Sequence, residues 1–237
     1  MFYCSPHCSP HFRALSFKNS IHTELRANPA AKTDSLQIEQ PAEWFKDVRA
    51  DPNPIAAAYL QTLLLTGPSR EELAGLRWQD VDFQWKALRI RDRVEGERVI
   101  PLTPYVAHLL SWLPHRPKNS YVFTSPGAAK GRLQDARANH TRALKIAGLP
   151  YVTLRGLRRS FGTLSEWVDV QVGVVAQIQG HKPIAIAEKH YRVRPLDMLC
   201  KHHERIEVWM LEQAGIEFKP RVDEKPALQV VSAHKAA

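Results

Sequence analysis

The stretch that most constrains this chain is Ile55 to Leu65, which carries no charged residue and only Tyr59, Gln61 and Thr62 as polar side chains. A helix that is apolar on all sides gains stability only when other elements wrap it. The stretch therefore predicts a buried helix with amphipathic structure packed around it. Like every other apolar run in the chain, it falls short of the ~18 residues that suggest a membrane span, so no membrane partner is expected. The N-terminus lacks the basic-then-apolar pattern of a signal peptide, and the expected location is cytoplasmic.

Elements that can wrap such a helix follow in order. Pro41 suits a first helical turn, and Trp44, Phe45 and Val48 form an apolar stripe behind it. Asp51-Pro52-Asn53-Pro54 breaks that helix, and Thr66-Gly67-Pro68-Ser69 ends the buried one. A third helix is predicted from Arg70 to Leu76, with Glu71 and Glu72 in its first turn, where carboxylates meet the positive end of the helix. Ala87 to Arg91 alternates, Val94 to Glu97 turns and Arg98 to Leu102 returns, which predicts a hairpin. Further helices are expected over Tyr105–Leu113, Leu133–Ala147, Leu157–Val168, Val172–Gln179 and Leu196–Gln213, with an extended piece at Tyr121–Phe123. Gly180 is a natural stop for the helix before it. The expected fold class is mainly α with a small antiparallel β-sheet.

Residues 1–35 show neither helical nor strand periodicity and are expected to be disordered, as is the polar tail 219–237; the folded domain is expected over 36–218. Within the leader, Cys4-Ser5-Pro6-His7 and Cys8-Ser9-Pro10-His11 place four soft ligands close together. The prolines and the lack of any apolar pattern argue for a loose tail, and no metal is expected. With Cys200 as the third cysteine, no disulfide framework is possible.

Charge narrows the partner. Lysine and arginine outnumber acidic residues 33 to 24, giving +9. A surplus of this size favours a polyanion, because neutralised phosphates release counterions. There is no Walker-type loop, no dinucleotide fingerprint and no acidic pair suited to two-metal chemistry. The aromatic-rich sheet motif of common RNA-binding modules is also missing.

Four segments carry candidate chemistry: Thr66-Gly67-Pro68-Ser69-Arg70-Glu71-Glu72 with the following Leu76-Arg77-Trp78, the hairpin from Arg93 to Leu102, Leu154-Arg155-Gly156-Leu157-Arg158-Arg159, and Ile178-Gln179-Gly180-His181 followed by Tyr191. Arg155 and Arg158 lie one helical turn apart and point the same way if one helix holds both. Paired guanidiniums suit phosphate, because their forked donors match its oxygens.

Together and in this order, these segments resemble the tyrosine recombinases, the phage-integrase family, from Leu36 to Gly215. The resemblance implies a tyrosine hydroxyl that attacks a phosphodiester of double-stranded DNA, leaving a 3′-phosphotyrosine and a free 5′-hydroxyl. The covalent link conserves the bond energy, so neither ATP, metal nor other cofactor is implied. It assigns Tyr191 as nucleophile, with Arg158 and His181 stabilising charge on the non-bridging oxygens. The helical domain that precedes this one in the family and clamps the DNA looks absent, since about 35 patternless residues precede Leu36. Family members often dock their last helix on a neighbouring subunit. Leu199, Ile206, Trp209 and Met210 therefore serve either a second copy, an intact homologue, or this chain's own core.

Three positions depart from the family pattern. The first-motif arginine falls on Ser69, a neutral hydroxyl. Arg70 is adjacent, but one step along a helix rotates a side chain by about 100°, so it substitutes only if the helix start is remodelled. The hairpin lysine, which gives a proton to the leaving oxygen, falls on Arg93, whose pKa above about 12 makes it a poor acid. Arg155 stands where the family has histidine or lysine. These changes keep the surface basic while weakening proton transfer and charge stabilisation. The sequence thus points to an impaired DNA strand transferase or, alternatively, to an inactive relic that only binds DNA or associates with a homologue.

Overall fold

The computed structural model describes residues 34–92, 96–115, 119–125, 127–181 and 193–220. The apolar stretch forms α2 (Pro54–Thr66), buried from Ala56 onward. Asn53 caps its start by accepting from the amides of Ile55 and Ala56, and Gly67 ends it in the left-handed conformation, φ 64°. Tyr59 and Gln61 find partners inside the core, whereas the buried Thr62 hydroxyl has none among the described residues. Gln61 donates to the carbonyl of Ala57 (3.1 Å) and accepts from the Tyr105 hydroxyl (2.8 Å), while Tyr59 donates to the carbonyl of Arg70 (2.8 Å).

Around α2 pack α1 (Pro41–Arg49), α3 (Arg70–Ala74), α4 (Pro104–Ser111), α5 (Arg137–Ile146), α6 (Leu154–Ser165) and α8 (Leu196–Gln213), with α7 (Val172–Gln179) packed on α6 and α8. Trp44, Phe45 and Val48 of α1 are fully buried, as the stripe predicts. A three-stranded antiparallel sheet, ordered β1 (Val81–Asp82), β2 (Ala87–Asp92), β3 (Gly96–Pro101), flanks the helices. Its register pairs Leu88 with Ile100 and Ile90 with Arg98, so Leu88, Ile90 and Ile100 line the buried face and Arg98 shares it. Strand β1 is too short to show an alternation in sequence; it is added through a 3-10 turn at Trp78–Asp80. No helix among the described residues is long and apolar enough to cross a membrane.

Two boundaries move for physical reasons. Helix α5 begins at Arg137, not Leu133, because the amide of Leu133 donates to the carbonyl of Phe123 (2.8 Å) and the segment runs extended beside the Tyr121–Phe123 piece. Helix α6 begins at Leu154, where Thr153 accepts from the amide of Gly156 (2.9 Å), so Arg155 and Arg158 do lie in one helix.

At the N-terminal end, Asp34 and Ser35 lie in the segment expected to be patternless, yet Asp34 is anchored. Its carboxylate accepts from the amide (3.0 Å) and hydroxyl (2.7 Å) of Thr153 and pairs with Arg159. The amide of the fully buried Leu36 donates to Ser160 (2.8 Å).

Helix α8 settles how its apolar face is used. Leu199, Ile206 and Met210 are buried in this chain's own core, with Trp209 packed partly buried against it. His203, fully buried, bonds the carbonyl of Leu65 (2.8 Å). Glu207 reaches the start of α4, accepting from the amides of Tyr105 (2.8 Å) and Val106 (3.2 Å) and from the Thr103 hydroxyl. Of the alternatives left open for these four residues, their burial here matches packing in this chain's own core.

Candidate functional site

The site is organised by one carboxylate. Glu72 sits at the third position of α3, and Ser69, which caps the helix, forms a reciprocal pair with it. The Ser69 hydroxyl accepts from the Glu72 amide (3.3 Å), while Glu72 Oε2 accepts from the Ser69 amide (2.6 Å). This is the capping box that a serine followed three residues later by glutamate encodes.

Two arginines from distant parts of the chain meet there. Arg98, on the buried face of β3, pairs in bidentate fashion through Nη1 to Oε1 (2.8 Å) and Nη2 to Oε2 (3.0 Å). Arg158 of α6 brings Nη1 to 3.7 Å from Oε2. Backbone carbonyls brace both guanidiniums. Arg158 donates to Gly67 (3.0 Å) and Gln179 (2.8 Å), and Arg98 Nε donates to Ile178 (3.2 Å). Gln179 returns a bond to the carbonyl of Arg158 (2.6 Å), locking the end of α7 to α6.

Beyond that end lies His181. Gly180 takes the left-handed conformation (φ 76°), and the His181 amide donates back to Ala176 (2.8 Å), closing the helix end. A Cβ on Gly180 would lie 2.7 Å from the Arg98 guanidinium carbon, so glycine is needed there both for its φ and for this close approach. The exposed His181 imidazole is held below its usual 6.5, first by partial burial and then by the positive charges of Arg158 and Arg98, with Glu72 acting the other way. The two arginines thus bear on one imidazole, and among the described residues two positive charges meet the one negative charge of Glu72. Such a site has a net preference for an anion, and its fixed donors match phosphate oxygens.

The remaining predicted residues sort clearly. Arg70 does not join this group: its guanidinium pairs with Glu71 (3.5 Å), and both side chains are about half exposed. The helix start is not remodelled to admit it, because Ser69 is an efficient cap that fixes where the helix begins. Arg155 lies one turn before Arg158 on α6 but is exposed, with no hydrogen bond or ion pair to another described residue. Arg93 and Tyr191 lie outside the described residues, as do Cys4, His7, Cys8 and His11. Among the described residues there is no group of three His, Cys, Asp or Glu side chains that could hold a metal ion.

The residue of this group that sequence reasoning missed is Arg98, named there only as the first residue of the returning hairpin strand. Its signal was available: it stands two residues before the buried Ile100, so strand alternation turns it inward.

The model of the phage integrase family matches residues 37–195. Prophage integrase IntF of Escherichia coli (strain K12) is 58% identical over 195 residues, covering 80% of this chain but 42% of that protein; the chain therefore spans well under half of this relative's length. Among solved structures, the integrase from mycobacterium phage Brujita superposes with a TM-score of 0.59 at 18% identity, covering 77% of this chain and 65% of that one. A lambda integrase tetramer bound to a Holliday junction gives 0.51 at 16% identity, covering 69% and 49%. These structural likenesses concern the fold, which matches the expected mainly helical architecture with a small antiparallel sheet. On the family match and the extent of identity to the E. coli integrase, the chain belongs to the phage integrase family.

Proposed function

We propose that the chain is the catalytic part of a site-specific DNA recombinase acting in the cytoplasm, and that it grips one backbone phosphate between Arg158 and His181 while Tyr191 attacks it. A Tyr191 oxygen–phosphorus bond forms as the phosphorus–O5′ bond breaks; the tyrosine hydroxyl gives up its proton and the departing 5′-oxygen takes one up to become the free 5′-hydroxyl. The observation that carries the reading is the meeting of Arg158 with Arg98 at the carboxylate of Glu72, from segments far apart in sequence, with His181 directly following the Gly180 against which Arg98 lies. Preorganised donors of this kind stabilise the charge that develops on the non-bridging oxygens. Duplex DNA is the proposed partner, consistent with the basic surplus and with the junction-bound lambda integrase tetramer; assembly into a similar oligomer is part of the same proposal.

Strand transfer is proposed to be slow. Arg93 cannot readily give up a proton to the leaving oxygen, and a lost catalytic donor costs roughly a hundred- to a thousandfold in rate. Ser69 favours a second reading, a module that binds DNA without cutting it, because its hydroxyl is turned into the helix cap.

Incubation with a pool of nicked duplexes of randomised sequence, in which the cleaved end diffuses away, separates the readings. The expected result is a faint protein–DNA adduct that resists denaturant and disappears in Tyr191→Phe. Adduct persisting in that variant rules out Tyr191 as nucleophile, and abundant adduct from the unmodified chain rules out impairment. Salt-sensitive DNA binding with no adduct at all favours the binding module.

A further inference from the structure

We propose that Arg98 is the second phosphate-binding guanidinium of this chain, supplying from the hairpin the cation that α3 does not supply at position 69, with Glu72 as its positioning residue. The inference rests on the phosphate-site reading above and adds a ligand to that site.

The donor count comes first. A guanidinium carries five N–H groups. Arg98 commits Nε to Ile178 and one hydrogen each of Nη1 and Nη2 to Glu72, leaving two hydrogens without an acceptor among the described residues. The side chain is only 18% exposed, so those donors face little water. Desolvated donors without partners are costly, and oxygens of a bound phosphate would meet that need.

Charge points the same way. The bidentate pair with Arg98 already neutralises Glu72, yet a second guanidinium, that of Arg158, is held 3.7 Å from the same carboxylate by two backbone carbonyls. The like charges of Arg98 and Arg158 repel each other across a partly desolvated site, and a bound phosphate lowers that repulsion.

Geometry closes the case. Arg98 lies against Gly180, where the absence of a side chain admits it, and its charge reaches the imidazole of His181 together with that of Arg158. Ser69, by contrast, spends its hydroxyl on the amide of Glu72. The carboxylate that anchors the capping box also aims the fork of Arg98. A purely structural Arg98 would serve as a brace between the hairpin and α7 and would not respond to anions.

The test is a titration of the 15N-labelled full chain with inorganic phosphate, following the Nε–H signals of Arg98 and Arg158 and the amides of Gly180 and His181. The expected result is that Arg98 Nε–H moves with the same midpoint as Arg158. Arg98→Lys, which keeps a positive charge against Glu72 but loses the fork, should weaken phosphate binding about tenfold or more. If phosphate shifts Arg158 and His181 while Arg98 is silent and Arg98→Lys binds as tightly, Arg98 is a brace; this proposal is overturned and the phosphate site stands. If phosphate shifts none of these signals, the phosphate site itself fails and Arg98 fails with it. Should Arg98→Lys not fold, the response of Arg98 in the unmodified chain decides the matter.

Discussion

Replacing Glu207 with glutamine should make the stability of the variant, relative to the native protein, climb by ~3 kcal/mol from pH 4.5 to pH 8. Glu207 sits on α8 with 1% of its surface exposed, and its carboxyl meets the start of α4 at the amides of Tyr105 and Val106 and at the hydroxyl of Thr103. Burial pushes its pKa up, against those three hydrogen bonds, from 4.5 to about 7. The folded state therefore binds a proton more tightly than the unfolded chain. The stability linked to this proton is fully present below 4.5 and is lost as pH rises through 7. A displacement from 4.5 to about 7 corresponds to ~3 kcal/mol, since each unit of pKa is worth about 1.4 kcal/mol. Glutamine cannot ionise, so the variant escapes that loss, while its NH2 cannot accept from the amide that meets the oxygen it replaces and so adds a cost that does not vary with pH. Urea unfolding of both proteins at intervals from pH 4.5 to 8.5 isolates the effect, because every other titrating group cancels in the difference. The variant should gain ~3 kcal/mol on the native protein across that range. A flat difference would show that Glu207 titrates alike in both states. A difference that falls with pH would show that the amides hold the ionised carboxylate as a true helix cap.

Three further outcomes test the site and core. Ser69→Ala should cost about 1 kcal/mol in urea unfolding through loss of the helix cap and, by loosening Glu72, weaken phosphate binding; unchanged affinity would show that the backbone amide of Ser69 alone holds Glu72 in place. Gly180→Ala should cost about 1 kcal/mol for its positive φ and weaken phosphate binding by displacing the Arg98 guanidinium; unchanged affinity would show that Arg98 need not lie against Gly180. Burial lowers His140 and His203 to about 4, so both imidazoles stay neutral in the fold, and the stability this gives is fully present above pH 6.5 and lost as pH falls toward 4. Titration of the imidazole carbons by NMR checks this, and either ring titrating near 6.5 would contradict it.

How much of this could be read in the sequence depended on the range of the interaction. Helix α2 was plain because eleven uncharged positions leave no solvent face, and α1 because Trp44, Phe45 and Val48 repeat at helical spacing. The start of α5 was not, since what holds Leu133 extended is a backbone bond to Phe123, set by tertiary pairing and invisible to local periodicity. The same holds at Asp34, whose value lies in contacts with Thr153 and Arg159 far along the chain. Within the candidate site, the order of the motifs pointed to Arg158 and His181 but not to Arg98, which the structure brings to the same carboxylate as Arg158. Its clue was the alternation with Ile100, a pattern read for the core and not for charge.

Position 69 shows why motif order alone misjudges such a site. A long cation there has to leave the first turn of α3 and reach outward, and it forfeits the side-chain oxygen that caps the helix. Serine does the opposite: it secures the start of α3 and, through the same capping box, fixes Glu72. A fixed Glu72 is what makes an arginine from β3 useful, because a bidentate carboxylate orients the guanidinium plane where a solvated arginine would wander. On the inference that Arg98 binds phosphate, an arginine from the sheet stands in for the cation absent from position 69, and phosphate affinity need not suffer. Proton delivery gains nothing from it, since arginine at either 93 or 98 holds its proton too tightly to give it up. On the proposed function, restoring a lysine at position 93 should therefore raise adduct formation more than restoring an arginine at 69. The opposite ranking would mean that charge stabilisation, not protonation of the leaving oxygen, limits the reaction.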